Sequence, residues 1–443
     1  MTHVCKPFSL PPLLLIASFL LAACAPSPEL TAAPTAERTI VRWLVVGEGT
    51  EPWHQSAAND FVAQFNRSQD EITLDVQYAI GGGFGALLDE SVAPDLVGPL
   101  SPNFGARFLD YWTDLDGLFV DRQALSNFDP SALDAWQRQG RLIGIPFGFW
   151  TSVLYYNKDL FDRYGVPYPP HRFGANYADG SPWTLDKVAE IAPRFTLDSQ
   201  GRDALNPSFD PNQAVQWGFF VQGNLNAAAA IFGAASLLDP SGKVSIPDSW
   251  RQAAFWLHRA VWQGRFLPNE AALERMDGDP FGKGAAAMYY APTWFMCCEA
   301  EFNWDIAAVP SWQGKITSRR EQAGFVIPRT SQRPEAALKV ALALAADPAL
   351  LAAFRIVPAR ADLRSDLAQQ LSARQPAVDW QVLVESINYP DDPPYTQFLP
   401  QAGGVFGLFN NFADGLLSDP NFAVEAELDR LETELQAIID SSQ

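Results

Sequence analysis

From residue 39 the chain alternates apolar runs of two different periods, and that alternation narrows the fold before anything else is considered. TIVRWLVV is a β-branched run ending at Gly47, followed by the polar loop GEGTEPWHQS. SAANDFVAQFNRSQ then sets Phe61, Val62 and Phe65 on one helical face, with Ser56 expected as its cap. EITLDVQYA alternates as a second strand, GGGFGALLDESV leads into a helix, and PDLVGPL is a short third strand ending in the loop SPNFG. Strand, helix, strand, helix, strand at this spacing means crossover connections and parallel strands, so the lobe is α/β.

Farther along, RLIGIPFGFWTSVLYYNKDLF at 141–161 reads as a strand that runs into Asn157-Lys158-Asp159 at the start of a helix. It concentrates Phe149, Trp150, Tyr155 and Tyr156 in a short space. WTLDKVAEIAPRF is a capped amphipathic helix, and TLDSQGRDAL is a hairpin around Ser199-Gln200-Gly201 that lacks the spacing of a calcium loop. Residues 250–266 put Trp250, Ala254, Leu257 and Val261 on one helical stripe, a spacing that suits core. DPFGKGAAAMYYAP and NWDIAAVPSW return to strand, and helix dominates from 334 onward.

The N-terminus indicates export. LLLIASFLLAA is an apolar run of 11 residues, too short for a ~30 Å hydrocarbon core and followed at once by Cys24. Residues 1–23 are read as a signal peptide. Leu21-Ala22-Ala23-Cys24 resembles the bacterial lipobox, in which the cysteine takes the lipid and becomes the first mature residue. Residues 24–38 then form a proline- and alanine-rich tether that cannot bury a core. Cys5 leaves with the signal, so Cys297 and Cys298 remain. As neighbours in an oxidising compartment they can close a strained eight-membered ring or stay as two thiols.

Thirty-one basic against 51 acidic side chains, net −20, leave no basic stripe for a nucleic-acid partner. Enzymatic constellations are missing as well. His54, His171 and His258 lie far apart without metal-ligand spacing, no nucleophile elbow precedes a helix, and GGGFG lacks the lysine of a phosphate loop. A carboxylate pair for glycoside hydrolysis is not singled out among the acids. No metal or cofactor is called for. Fourteen tryptophans and 30 phenylalanines exceed what an ordinary core needs and suit a cleft for a flat, partly apolar ligand.

GRLIGIPFGFWTSVLYYNKDLFDRYGVPYPP followed by WTLDKVAEIA, and then GKGAAAMYYAPTWF, WDIAAVPSW and AGFVIPRTS in that order, resemble the family 1 extracellular solute-binding proteins. These are the sugar-binding subunits of bacterial ABC importers, and the likeness covers nearly all of residues 39–443. It implies an α/β periplasmic-binding-protein type II fold: two discontinuous lobes joined by a hinge, with ligand held between them. The expected division is 39–149 with 290–330, and 150–289 with 331–443, the chain crossing near 148–154 and again near 290. The expected function is capture of a carbohydrate, an oligosaccharide or glycoside, and its delivery to permease subunits. The protein would be a monomer anchored through Cys24 to the outer face of the cytoplasmic membrane, or on the periplasmic side. A non-sugar solute such as a polyamine, or a glycan-acting surface enzyme, is the alternative.

Carried over by position, the resemblance implies ligand contacts at Glu48 and Trp53 after the first strand, Ser101 and Asn103 after the third, and Trp150 on the hinge strand. It further implies Asn224 and Asn226, Tyr290 and Trp294, and Gly404 and Phe406. Tyr155 and Tyr156 belong to the scaffold motif and are read as packing. The maltose-binding relatives place a charged pair where Pro102 and Asn103 stand and an acid where Trp150 stands, so a malto-oligosaccharide is not assumed.

Overall fold

A computed structural model describes residues 37–79, 93–102, 109–119, 122–222, 225–233, 235–239, 241–276, 278–295, 300–391 and 402–441. Cys24, Asn103, Asn224, Cys297 and Cys298 lie outside the described residues, as do the side chains of Glu48 and Asn226.

Twelve strands are formed among the described residues: β1 (Thr39–Val46), β2 (Ile72–Ala79), β3 (Leu96–Leu100), β4 (Gln137–Arg138), β5 (Arg141–Leu142), β6 (Ile145–Asn157), β7 (Leu197–Asp198), β8 (Ala214–Val221), β9 (Ala286–Pro292), β10 (Trp304–Ala307), β11 (Arg320–Val326) and β12 (Val357–Pro358). Apart from the small β4–β5 pair they join in one path, β2-β1-β3-β11-β6-β9-β8-β7, with β10 and β12 also on β6. β1 is parallel to β2 and to β3, in register Thr39 to Ile72 and Trp43 to Leu96. The parallel pairing expected of the first hundred residues is therefore present, while the helix expected over GGGFGALLDESV lies outside the described residues.

The local chemistry explains the element ends. Pro52 opens the helix Pro52–Ser68, its fixed φ suiting the first turn, so Ser56 lies inside that helix rather than at its cap. This corrects the expected start. Asn157 caps the helix Lys158–Tyr164 by accepting the Leu160 N–H at 3.1 Å, and Gly165 ends it in the left-handed conformation. Thr184 caps the helix Leu185–Ile191 through the Lys187 N–H. In the hairpin, the Asp198 carboxylate gathers the Gln200 and Arg202 N–H groups and the Arg202 guanidinium, with Gly201 at the turn's positive φ.

β6 decides the architecture. Its 13 residues are all buried and span about 43 Å at about 3.3 Å per residue. Residues Ile145–Thr151 pair with β11, and Phe149 and Gly148 also with β12. From Ser152 onward the partners are β9 and β10. The strand thus carries the chain out of one half of the sheet and into the other between Thr151 and Ser152. Tyr155 and Tyr156 are fully buried beyond that point, as packing requires. The helix Pro334–Leu344 packs on β1 and the first half of the sheet, and Pro348–Ala353 packs on Pro52–Ser68. The helices Ala402–Ser418 and Val424–Asp440 pack on Asp248–Trp262 in the other half.

Candidate functional site

The level at which β6 changes partners is crossed by two further segments, and all three are tied together. The Ser152 N–H donates to the Arg319 carbonyl at 2.8 Å, and the Ser318 hydroxyl donates back to the Ser152 carbonyl. Ser318 N–H reaches the Tyr389 carbonyl at 2.7 Å, while the Thr151 and Ser386 hydroxyls share a buried hydrogen bond. Tyr290, on β9, accepts the Arg319 N–H on its phenol oxygen at 3.0 Å. Burial pushes that phenol well above its ordinary pKa. Tyr290 is thereby spent on the crossing.

Beside this seam lies a cluster of rings and charges drawn from both halves. Trp294, in the turn directly after β9, donates its indole N–H to the Glu321 carboxylate at 2.6 Å. Glu321 stands on β11, where its register partner is Trp150, and Arg319 pairs with the same carboxylate. Trp150 is only 4% exposed and donates its indole N–H to the Phe354 carbonyl at 2.9 Å. The other face of the Phe354 turn is engaged too. The His54 ring stacks on the Phe354 ring with centroids 4.0 Å apart, and Trp53 meets His54 edge-on at 5.5 Å. Thr293 closes the arrangement by donating its hydroxyl to the Arg355 carbonyl at 2.8 Å.

Of the expected contacts, Trp53, Trp150, Tyr290 and Trp294 are linked through this network. Trp53, 38% exposed, and Trp294, half-buried, keep ring surface in reach of solvent. Ser101 is exposed at the C-terminal end of β3, beside the turn Gly47–Thr50 that holds Glu48 at the same end of β1. That edge of an open α/β sheet is where ligands bind. Gly404 and Phe406 stand on the helix Ala402–Ser418; Phe406 is 44% exposed, and Gly404 faces Ile438. Glu321, Arg319 and His54 were not expected. The only trace of Arg319 and Glu321 in the sequence is SRREQ, a charged stretch immediately before the buried strand residues AGFV.

Chemically, a partly open indole on a carboxylate whose charge is balanced by a guanidinium suits a neutral ligand with many hydroxyls. Among the described residues no group of three or more His, Cys, Asp and Glu side chains could hold a metal ion, and no helix is long and apolar enough to cross a membrane.

The sequence profile described as bacterial extracellular solute-binding protein matches residues 60–368. The chain belongs to this family. No curated protein matches it in sequence. Among solved structures it is similar to an ABC substrate-binding protein of Listeria monocytogenes in complex with cycloalternan, at 21% identity and a TM-score of 0.69, covering 90% of this chain and 99% of that one. The sugar-binding protein MalE of Xanthomonas citri matches at 18% identity and 0.67, covering 91% and 98%. UgpB of Mycobacterium tuberculosis in complex with glycerophosphocholine matches at 18% and 0.67, covering 90% and 98%. The fold is the two-lobed type II binding-protein fold. A solute-binding protein of this family works on the extracytoplasmic side and serves an ABC transporter permease.

Proposed function

We propose that this solute-binding protein captures a neutral oligosaccharide or glycoside between its lobes, without chemical conversion, and passes it to its permease while tethered by lipid on Cys24. The observation that carries the reading is the Trp294–Glu321–Arg319 group beside the hinge: an indole and a charge-balanced carboxylate on opposite sides of the change in strand partners. Aromatic faces stack on sugar C–H surfaces while the carboxylate and guanidinium pair hydroxyls. Because Arg319 already neutralises Glu321, that carboxylate offers a polyamine no uncompensated charge. Cycloalternan, bound in one of the similar structures, belongs to the same class, whereas glycerophosphocholine, bound in another, does not.

In this reading Trp53 and Trp294 supply stacking surface, and Glu48, Ser101 and Asn103 line the rim. Asn224, Asn226, Gly404 and Phe406 are the contacts offered by the second lobe. Trp150 and Tyr290 serve the hinge itself. Strand pairing supports a lobe boundary between Thr151 and Ser152. Helix packing supports placing Pro334–Leu344 and Pro348–Ala353 with the first lobe, together with Arg364–Arg374, which packs on Pro348–Ala353 and β12. The test is a thermal-shift screen of the protein lacking residues 1–37, with tryptophan fluorescence as a second readout. It runs maltose, maltotriose, mannotriose, cycloalternan, glycerophosphocholine and spermidine in parallel. Stabilisation by sugars supports the reading; a response confined to spermidine or glycerophosphocholine, or turnover of a glycoside, overturns it.

A further inference from the structure

The third segment through the hinge ends in a carboxyl group that the capture reading does not use. Asp391 is 2% exposed. Its Oδ1 accepts the Arg320 N–H at 2.8 Å, while its Oδ2 is buried without a hydrogen-bond partner among the described residues. Its own N–H donates to the Ser318 carbonyl at 3.1 Å, and with the Ser318 N–H on Tyr389 this makes a parallel bridge between Ser318 and Pro390. Asp391 therefore bolts the third crossing to the second, at the place where the second is bonded to Ser152 of the first.

We propose that Asp391 is a proton-sensitive bolt on the hinge: neutral, it keeps the crossing segments in the seam described here, and ionised, it favours a lobe arrangement that lets water reach the carboxylate. The argument is one of unmet demand. An ionised carboxylate has roughly four acceptor sites to satisfy, and this one satisfies a single site while buried. The neutral acid demands far less. The charged and titratable groups facing it are Arg319, just before β11, Arg320 on β11, and Tyr290 from β9. From β6 it meets no charge, since Thr151 and Ser152 stand at this level, and Glu385 on the preceding helix is turned to Arg172. Burial dominates: it pushes the Asp391 carboxyl up to about 7, against the pull of the Arg320 N–H and the two guanidinium charges. A lobe motion that shears the Ser318, Arg320 and Asp391 bonds links the proton to the hinge angle.

The inference rests on the capture reading only for its consequence, that ligand affinity follows the same titration. The test uses ligand-free protein, so its failure is separate from failure of that reading. Small-angle scattering is recorded from about pH 4.5 to about pH 8.5 on wild type and Asp391→Asn, a range that covers the interval between an accessible carboxyl and the buried one. The wild-type radius of gyration should shift between about pH 4, the ordinary value of an accessible carboxyl, and about pH 7, where the buried group ionises, and level off above that; the variant should hold the acid-side value throughout. An unchanged wild-type radius, or a variant that reproduces the shift, overturns the proposal. Should Asp391→Asn not fold, carboxyl carbon-13 resonances of wild-type protein labelled at aspartate decide it. A buried carboxyl titrating together with the radius supports the bolt, and none titrating above about pH 5 removes it.

Discussion

Replacing Trp150 by phenylalanine separates the two roles a hinge tryptophan can have. The substitution deletes the indole N–H that satisfies the Phe354 carbonyl and leaves that buried acceptor unpaired, at about 1–3 kcal/mol. It also removes ring volume at a position 4% exposed, where incomplete collapse adds about 1–2 kcal/mol. The expected loss is thus about 3 kcal/mol of stability, read as a lowered urea midpoint, with sugar affinity changed less than about twofold. Trp294→Phe should behave in the opposite way. Its bond to Glu321 is half-exposed and contributes about 1 kcal/mol to stability, whereas loss of an indole at the cleft weakens the best sugar of the screen about tenfold by calorimetry. If Trp150→Phe left the urea midpoint in place and cut affinity tenfold, the assignment of the two rings would be wrong.

Three further outcomes follow from the same coordinates. Gly148→Ala places a methyl group 2.4 Å from the Val357 carbonyl and 2.8 Å from Ile356, in a β6–β12 pair with no room to part; about 3 kcal/mol of lost stability should appear as a lowered melting temperature. For Asp198, burial works to raise the carboxyl, but the N–H groups of Arg202, Asp210 and Gln200 and the Arg202 guanidinium hold it down at about 2. A depressed carboxyl stabilises the fold above its unfolded pKa of about 4 and loses that contribution as pH falls toward 2, so Asp198→Asn should flatten this part of the acid-unfolding curve. Arg251 reaches Glu425, Asp429 and Glu432 on the last helix; Arg251→Ala should cost only about 0.5–1 kcal/mol and speed amide exchange within 424–440.

Sequence reading succeeded where the determinants are local. β1 and β2 follow from runs of one period bounded by polar loops, and the caps at Asn157 and Thr184 follow from residue type at helix starts. It misplaced the start of the first helix because proline tolerance in a first turn outweighed the serine farther along. The site was less legible. Nothing in IPFGFWTSVLYYN marks the change of partners at Thr151, since a strand buried on both faces reads as one continuous apolar run. Glu321 escaped notice because its value depends on a ladder register and on a tryptophan 27 positions earlier, neither of which one sequence displays.

That register bears on the departure that made Trp150 conspicuous. Where the maltose-binding relatives are expected to carry an acid on the first hinge strand, this chain carries an indole. Glu321 is directly across the ladder from it. Residues paired in register project to the same face of a sheet, so the carboxylate reappears on that face one strand over. The exchange has a cost and a benefit. The indole at 150 commits its N–H to the Phe354 turn and stiffens the crossing, while the acid at 321 stands between Arg319 and Trp294 and depends on a residue from beyond β9 for its second partner. A carboxylate held by groups from both sides of the hinge keeps its present geometry only while those sides keep theirs. Lobe motion and the polarity of the site are therefore coupled through Glu321, and a sugar hydroxyl that replaces the Trp294 N–H on that carboxylate competes with the contact that now spans the hinge.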